Sequence, residues 1–336
     1  MTNIPVKIFQ TSLEKVLILN GVSQDSATIT AMVMIAADLS GYPKHGTERI
    51  FLLLDAIKQN IINPKLTPQI IKESTATTVL SASFCIGQVV AFHSMNLAIE
   101  KAKKYGVGIT GIINASHIGM LSFYSALASQ QDCFGLVVCT SPPISVITGG
   151  HKKTFGTNPI SYSFPSGTSF ITADFSTTKV SRATLKEKIK LREKTHEILG
   201  VDSNGKDTYS PEEILKGGLK TFAGNIKSDM VSLLISILAG PLLGAEINHL
   251  ICNTSDNEIS FNSGVFFLSL DLDSFWDKNF FKKQCSVFMR FIQQQNANFR
   301  IPGARAIKFK KRKMSLGLTL TDRMKELFEK HNVSTN

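Results

Sequence analysis

The sequence predicts an α/β protein in which helices and strands alternate around a central sheet. Between residues 77 and 139, segments with strand character alternate with segments of helical periodicity. Alternation of this kind is typical of α/β sheets. The 336 residues are 43% hydrophobic and 19% charged, which is enough apolar material for one large unit or two packed lobes. Global disorder is therefore excluded.

The first 60 residues predict helices. Apolar residues at helical spacing indicate a first helix that ends at Asn20-Gly21 and a second that begins after a Ser23 cap. A third helix is expected from about Thr47, because apolar residues at 50, 53, 54 and 57 share one face.

The alternating region supplies the strands of the sheet and the helices between them. In chain order, the prediction is strand 77–82, helix 88–105, strand 107–114, helix 119–131, strands 134–139, 160–164 and 170–175, a charged helix 185–199, a loop 201–210, an apolar helix 230–243 and strand 264–271.

Composition and charge limit the functions that the protein can have. The net charge of +11 would concentrate anionic small molecules and nucleic acid alike. The densest basic run, 308–313, has no aromatic stacking pattern, so we interpret it as a solvated tail segment and expect no nucleic-acid partner.

Five cysteines without C-x-x-C spacing favour a reducing compartment and argue against a thiolate metal site. The N-terminal residues lack the apolar core of a secretory signal, and the apolar stretch 230–244 is shorter than the ~20 residues that span a bilayer. We therefore expect a cytoplasmic protein without a metal or a membrane anchor.

One glycine motif is misleading. Gly106, Gly108 and Gly111 match G-x-G-x-x-G, the dinucleotide-binding fingerprint. That fingerprint must follow a strand and open a helix, whereas here a helix precedes Gly106 and the glycines enter a strand. Gly106 is better interpreted as a helix C-cap.

Two pairs of residues suggest chemistry. His45 and Arg49, at the start of the third helix, are expected on one helical face, where the guanidinium could hold a carboxylate and the imidazole could protonate the adjacent oxygen or nitrogen of a 2-oxo or 2-imino acid. Ser116 and His117 follow a strand end, where ligands of open α/β sheets gather. The alternatives are a surface histidine beside an ordinary arginine, and a capping turn with an incidental histidine.

A glycine-rich basic loop spans 149–159. Its glycines allow close backbone approach, and Lys152 and Lys153 offer positive charge, so phosphate binding is one interpretation. An ordinary glycine-rich connection between strands is the other.

Together these segments resemble the malate/L-lactate dehydrogenase family of nicotinamide-dependent reductases. The resemblance runs from about residue 37 to about residue 306. It is carried by Ala37-Asp38-Leu39-Ser40-Gly41 with His45-Gly46 and Arg49, by Asn114 to Gly119 with Tyr124, by Gly149 to Pro159, by Asp174 to Arg182, by Leu238-Ala239-Gly240 with Gly244-Ala245, and by Ile301-Pro302-Gly303-Ala304-Arg305-Ala306.

The resemblance implies a mixed-sheet, non-Rossmann α/β fold like that of L-sulfolactate dehydrogenase, with N-terminal helices. It implies a catalytic and dimerisation lobe from 1–126 plus 226–336, and a cofactor-binding lobe at 127–225. The implied enzyme is a homodimer that moves hydride between NAD or NADP and C2 of a small 2-hydroxy or 2-oxo acid; reduction of a cyclic imine is the alternative. His45, Arg49 and His117 would be catalytic, and the cofactor would lie along Ser116, His151, Gly156, Thr157, Asn158, Asp174, Ser176, Thr177 and Lys227.

The chain departs from the family pattern at several positions. Lys44 replaces the serine that usually precedes the catalytic histidine, and Ser210 replaces an aspartate of the T-T-D-P loop. Glycines are lost around Lys227, where a side chain could narrow the pocket, and the charged helix 185–199 replaces a connection that usually contains proline and tryptophan. These departures motivate a second hypothesis, a non-catalytic descendant that acts as a binding or scaffold protein.

Overall fold

The computed structural model of the chain describes residues 2–167, 169–251 and 262–335. The helices are α1 (Val6–Leu19), α2 (Gln24–Leu39), α3 (Ile50–Lys58), α4 (Gly87–Tyr105), α5 (Leu121–Gln130), α6 (Arg182–Leu191), α7 (Pro211–Lys216), α8 (Ile226–Leu238), α9 (Lys278–Gln295), α10 (Ala304–Leu316) and α11 (Asp322–Lys330). The strands are β1 (Thr2–Ile4), β2 (Gln69–Glu73), β3 (Thr77–Ser81), β4 (Val107–Ala115), β5 (Cys133–Cys139), β6 (Ser145–Val146), β7 (Lys153–Phe155), β8 (Ile160–Ser166), β9 (Ser169–Phe175), β10 (Gly200–Val201), β11 (Asp207–Thr208), β12 (Gly218–Leu219), β13 (Ser263–Asp271) and β14 (Leu318–Leu320).

A mixed seven-stranded sheet of described residues forms the centre of the molecule, in the order β2-β3-β4-β13-β5-β8-β9. In this sheet β3 and β4 pair in parallel, and the other neighbours are antiparallel. Because β13 runs opposite to both of its neighbours and β8 runs opposite to both of its own, β4, β5 and β9 all point the same way. Their carboxyl ends therefore meet at one edge of the sheet, which is where ligands of α/β sheets collect.

Two smaller sheets complete the architecture. A five-stranded sheet in the order β11-β10-β12-β6-β7 lies between β5 and α8 in the chain, and β1 pairs with β14 to join the two ends of the chain. The strands β5, β8 and β9 belong to the same sheet as β4 and β13, although they fall on the other side of the expected boundary at residue 127. The division into two lobes stays a prediction.

Apolar side chains pack on both faces of the central sheet. On one face, α4, α5 and part of α2 enclose a core that includes Met95, Tyr124 and Phe267. On the other face, α8 packs against β5 and β13 through Ile235 and Ala239. A separate core joins α1, α2 and α3 to the C-terminal α11.

Most predicted elements are confirmed, and their ends follow the expected caps. Ser23 accepts a hydrogen bond from Ser26 N–H at the start of α2, and Gly106 ends α4 in the left-handed conformation at φ 84°. The glycines after it serve packing: a Cβ on Gly108 would lie 1.9 Å from the Ala98 carbonyl oxygen, and one on Gly111 would lie 2.4 Å from Leu243. The rejection of a Rossmann fingerprint is thus confirmed.

Three predictions need correction. His45 and Arg49 do not share an α-helical face, because Pro43–His45 and Thr47–Arg49 are separate 3₁₀ turns before α3. The charged helix is displaced: α6 starts at Arg182 and ends at Leu191, and its C-cap Arg192 is left-handed at φ 56°. The basic run 308–313 is not a tail; it lies on α10, and the chain returns through β14 and α11 to the N-terminal core.

The apolar stretch at α8 has the length and composition of a membrane span but is interrupted. Within the described residues, Ile226–Leu243 is the one stretch that meets the length and composition of a membrane span, and 39% of it is buried. It is not one continuous helix, since α8 ends at Leu238 and Pro241–Leu243 forms a 3₁₀ turn. Core helices of soluble proteins meet the same criterion.

Candidate active site

A cavity of about 630 Å³ opens at the carboxyl ends of β4, β5 and β9. Its volume lies within the ~300–1,000 Å³ usual for small-molecule sites. Six of the predicted residues line it: His45, Arg49, His117, Thr157, Asp174 and Ser176. Residues that are up to 131 positions apart in the chain are thus brought to one space, and the protein's own atoms leave that space open.

The turns that carry His45 and Arg49 are fixed by the last part of α2. Asp38 accepts hydrogen bonds from the backbone N–H of Thr47 at 2.9 Å and from its hydroxyl at 2.7 Å. Burial raises the pKa of Asp38, although the two bonds from Thr47 oppose the shift. Gly46 must be glycine here, because a Cβ would lie 1.8 Å from an Asp38 carboxylate oxygen.

The loop that carries His117 is fixed on both sides of the histidine. The Ser116 hydroxyl donates to the Cys85 carbonyl at 3.1 Å and accepts from Gly87 N–H at 3.0 Å. On the other side, the buried Tyr124 hydroxyl donates to the Ile118 carbonyl. The Ser116 side chain therefore fixes the position of the loop and does not line the main cavity.

His45 and His117 form a pair. Nδ1 of His45 lies 3.4 Å from Nε2 of His117, and the rings are nearly parallel, with 12° between their planes. Gly119 N–H donates to Nδ1 of His117 at 3.2 Å, which leaves its Nε2 facing His45. The two facing nitrogens can therefore share one proton between the rings.

Burial and nearby cations keep this pair neutral. Burial, followed by the charges of Arg49 and Lys44, lowers the pKa of His45 to about 4. The pKa of His117 is lowered well below its usual value by burial, Arg49 and His45. At neutral pH the site therefore holds two neutral imidazoles beside a guanidinium.

The opposite wall carries hydroxyls and one carboxylate. Asp174, at the end of β9, accepts a hydrogen bond from Ser122 N–H at 2.8 Å. Ser122 lies in the first turn of α5, so the Asp174 carboxylate caps that helix. Burial raises the pKa of Asp174, although the hydrogen bonds from Ser122 oppose the shift. Thr157 is held by Ser141, whose hydroxyl accepts from Thr157 N–H at 2.9 Å.

Three further predicted residues support this wall from behind. Gly156 lets the chain pass Ser141, because a Cβ would lie 2.3 Å from its carbonyl oxygen. Thr177 is buried, and both its N–H and its hydroxyl donate to the Thr157 carbonyl. Asn158 is fully buried with φ 35°, and its side chain bonds to Ser232, Ser236 and Asn248. These three residues fix the position of Thr157.

His151 and Lys227 lie away from the cavity. Both are exposed. His151 adjoins Gly205, next to a smaller cavity of about 210 Å³. Lys227 lies in the first turn of α8, where Asn225 caps the helix by accepting from the N–H groups of Lys227 and Ser228. The glycines lost around Lys227 are thus replaced by a helix cap.

Several residues that line the cavity were missed by sequence reasoning. Arg182 and Lys186 project from α6, and Tyr42, Lys44 and Ser141 complete the wall. The sequence indicates only that Lys153 is a positive charge on a loop. In the structure it lines the cavity, and its ammonium donates to the Leu215 carbonyl at 2.6 Å. No local spacing connects α6 to the turn at 43–45, so their proximity could not be predicted.

The chain is similar to enzymes of known activity. A family model described as malate/L-lactate dehydrogenase matches residues 4–327. The malate/(S)-sulfolactate dehydrogenase of Methanothermus fervidus is 35% identical over 323 residues, covering 95% of each chain. The solved structure of the sulfolactate dehydrogenase from Methanocaldococcus jannaschii superposes with a TM-score of 0.90 at 30% identity, over 99% of this chain and 98% of that one. The ureidoglycolate dehydrogenase (NAD(+)) of Escherichia coli K12 is 26% identical over 272 residues, 80% of this chain and 77% of its own.

Proposed function

Because the chain belongs to the malate/L-lactate dehydrogenase family, we propose that it is an oxidoreductase that transfers hydride between a nicotinamide cofactor and C2 of a small 2-hydroxy or 2-oxo acid. The mixed α/β fold agrees with this family. The observation that carries the proposal is the open cavity in which the paired imidazoles of His45 and His117 adjoin Arg49. This arrangement supports catalysis over the scaffold hypothesis, and relatives named for malate and sulfolactate support a hydroxy acid over a cyclic imine.

Each of the three residues has a separate role in the proposal. Arg49 binds the substrate carboxylate, since a guanidinium can hold it through two bonds. His45 gives a proton to the C2 oxygen during reduction and takes it back during oxidation. His117 orients the His45 ring and shares its proton. Burial is the main cause of the low His45 pKa and the Arg49 charge is the second. A substrate carboxylate beside Arg49 offsets the effect of that charge, so substrate binding raises the proton affinity of His45.

The residues of the cavity fit a nicotinamide dinucleotide. Lys153 and Arg182 repel each other: burial, followed by the Arg182 charge, lowers the pKa of Lys153. A phosphate group would offset that repulsion, and the hydroxyls of Thr157 and Ser176 offer hydrogen bonds. When bound, the cofactor supplies or accepts the hydride. We propose that it is NAD or NADP; the name of the E. coli relative supports NAD.

The proposal is tested by turnover. Purified protein is assayed by absorbance at 340 nm with NADH and NADPH against pyruvate, oxaloacetate, sulfopyruvate and Δ1-piperideine-2-carboxylate. We expect oxidation of a reduced cofactor with a 2-oxo acid. His45→Gln should lower kcat by about 10²–10⁴-fold while cofactor binding, followed by fluorescence, persists. His93→Gln is the control because His93 is exposed on α4. Cofactor binding without turnover of any acid would favour the scaffold hypothesis.

We also propose that the protein is a cytoplasmic homodimer. The outer face of α8 is apolar and about half exposed at Met230, Leu234 and Ile237. Exposed apolar faces of this kind are typical of protein interfaces, and we propose that a second copy covers it. Light scattering after gel filtration should give a dimer for the wild type and a monomer for Leu234→Glu. Phe288→Glu, at an exposed position on α9, should remain dimeric. If Leu234→Glu is also still a dimer, the outer face of α8 is not the interface.

A further inference from the structure

Two of the departures from the family pattern noted in the sequence, Lys44 and the charged helix α6, meet at one wall of the cavity. The ammonium of Lys44 lies 3.7 Å from a carboxylate oxygen of Glu187 on α6. Lys44 also lines the cavity beside His45, its neighbour in the chain. It is thus next to the proton-transfer residue and at the boundary between the cavity and solvent.

Positive charge predominates around the cavity. Of the described residues that line it, one is a carboxylate, Asp174, and it already accepts the Ser122 N–H. Five have cationic side chains: Lys44, Arg49, Lys153, Arg182 and Lys186. One carboxylate of the substrate accounts for Arg49, and a cofactor phosphate accounts for Lys153 and Arg182. The other two cations, Lys44 and Lys186, line the cavity at the wall next to α6, so a second negative group on the substrate would find positive charge on the side of Lys44.

The Glu187 ion pair does not prevent this role. Both side chains are about half exposed or more, at 48% for Lys44 and 64% for Glu187. Exposed pairs of this kind contribute only ~0–1 kcal/mol. An anion inside the cavity is less screened by water and competes well for the ammonium.

We propose that Lys44 is a specificity-determining residue that binds the distal anionic group of a doubly charged substrate, a 2-oxo or 2-hydroxy acid with a carboxylate or sulfonate on C3. The inference rests on the proposed function, because it assigns the substrate class of the same cavity. Arg49 then holds the carboxylate beside the reacting carbon and Lys44 holds the far end. The substrate is fixed at two points with C2 beside His45, and singly charged acids of the same length lose one of them.

The test compares two four-carbon oxo acids that differ in the distal group. Oxaloacetate carries a distal carboxylate, and 2-oxobutyrate carries a methyl group in its place. The wild type should prefer oxaloacetate in kcat/KM. In Lys44→Met, which keeps the apolar stem but removes the charge, the ratio of the two kcat/KM values should fall roughly 10–100-fold, as expected for the loss of one charge-assisted bond. Most of the loss should be in KM for oxaloacetate. Lys44→Arg should keep most of the ratio.

A matched variant separates substrate binding from a structural ion pair. Glu187→Gln breaks the same pair from the other side but leaves the ammonium, so the ratio should stay equal or rise up to about threefold. A fall as large as that of Lys44→Met would overturn the inference, as would an unchanged ratio in Lys44→Met. Turnover of 2-oxobutyrate without preference for oxaloacetate would overturn the inference but leave the proposed function intact. Failure of every oxo acid would overturn both.

Discussion

The neutral state of His45 makes the folded protein sensitive to acid. In the unfolded chain a histidine binds a proton below its ordinary pKa of 6.5, whereas in the fold the pKa of His45 is about 4. Between these values the unfolded state binds a proton that the folded state excludes, so stability falls as the pH decreases. From pH 7.5 to pH 5 the loss is about 2 kcal/mol, at up to 1.36 kcal/mol per pH unit. Above about pH 7.5 neither state holds the proton, and this contribution is constant.

The perturbation is His45→Gln, which keeps a polar group facing His117 but cannot titrate. Urea unfolding of the cofactor-free protein is measured at pH 7.5 and pH 5.0. The wild type and the His93→Gln control should each lose about 2 kcal/mol more than His45→Gln over this range. An NMR titration of the His45 ring should give a midpoint near 4. The same loss in all three proteins, or an NMR midpoint above 6, would refute the account of His45 as a buried neutral imidazole.

Three other predictions concern the supports of the site. Asn158→Ala should lower the free energy of unfolding by about 2–4 kcal/mol in urea, because it leaves buried polar partners unsatisfied; a loss below 1 kcal/mol would contradict the network. Gly46→Ala should reduce kcat at least about tenfold without changing the circular dichroism spectrum, since the new Cβ displaces the Asp38 carboxylate; normal turnover would show that the turn is not constrained. Burial raises the pKa of the Cys139 thiol to about 12, so iodoacetamide at pH 8 should label it in urea but not in the folded protein, as measured by mass spectrometry.

Local features were predictable because their causes are local. The Ser23 cap and the left-handed Gly106 depend on a few adjacent residues, and the ends of α2 and α4 follow from them. The glycines of the misleading fingerprint could be rejected because the order of helix and strand is itself local information. The resemblance supplied the remaining site residues as a set, but it did not distinguish those that line the cavity from those that support it.

Long-range contacts could not be predicted in the same way. His45 and His117 are 72 residues apart, and no spacing in the sequence states that their rings face each other. The side chain of Asn158 is bonded to Asn248, 90 residues away, and no spacing in the sequence indicates that contact; cofactor binding by Asn158 stays a prediction. The pairing of β1 with β14 likewise joins residues more than 300 positions apart. Each contact depends on how the sheets and helices pack, which the local spacing of residues does not reveal.

The supports of the site explain how substrate choice could change without loss of the chemistry. The histidines proposed to transfer the proton are held by Asp38 on α2 and by the Gly119 N–H in the loop before α5. The opposite wall, where we propose that the cofactor binds, is joined to the same region by the bond from Ser122 N–H to Asp174, because α5 follows directly after the His117 loop. The wall formed by Lys44 and α6 is connected to this framework through the turn at 43–45 and an exposed ion pair. Substitutions at that wall are therefore expected to alter which group fits the far end of the cavity, while the imidazoles and the guanidinium keep their places.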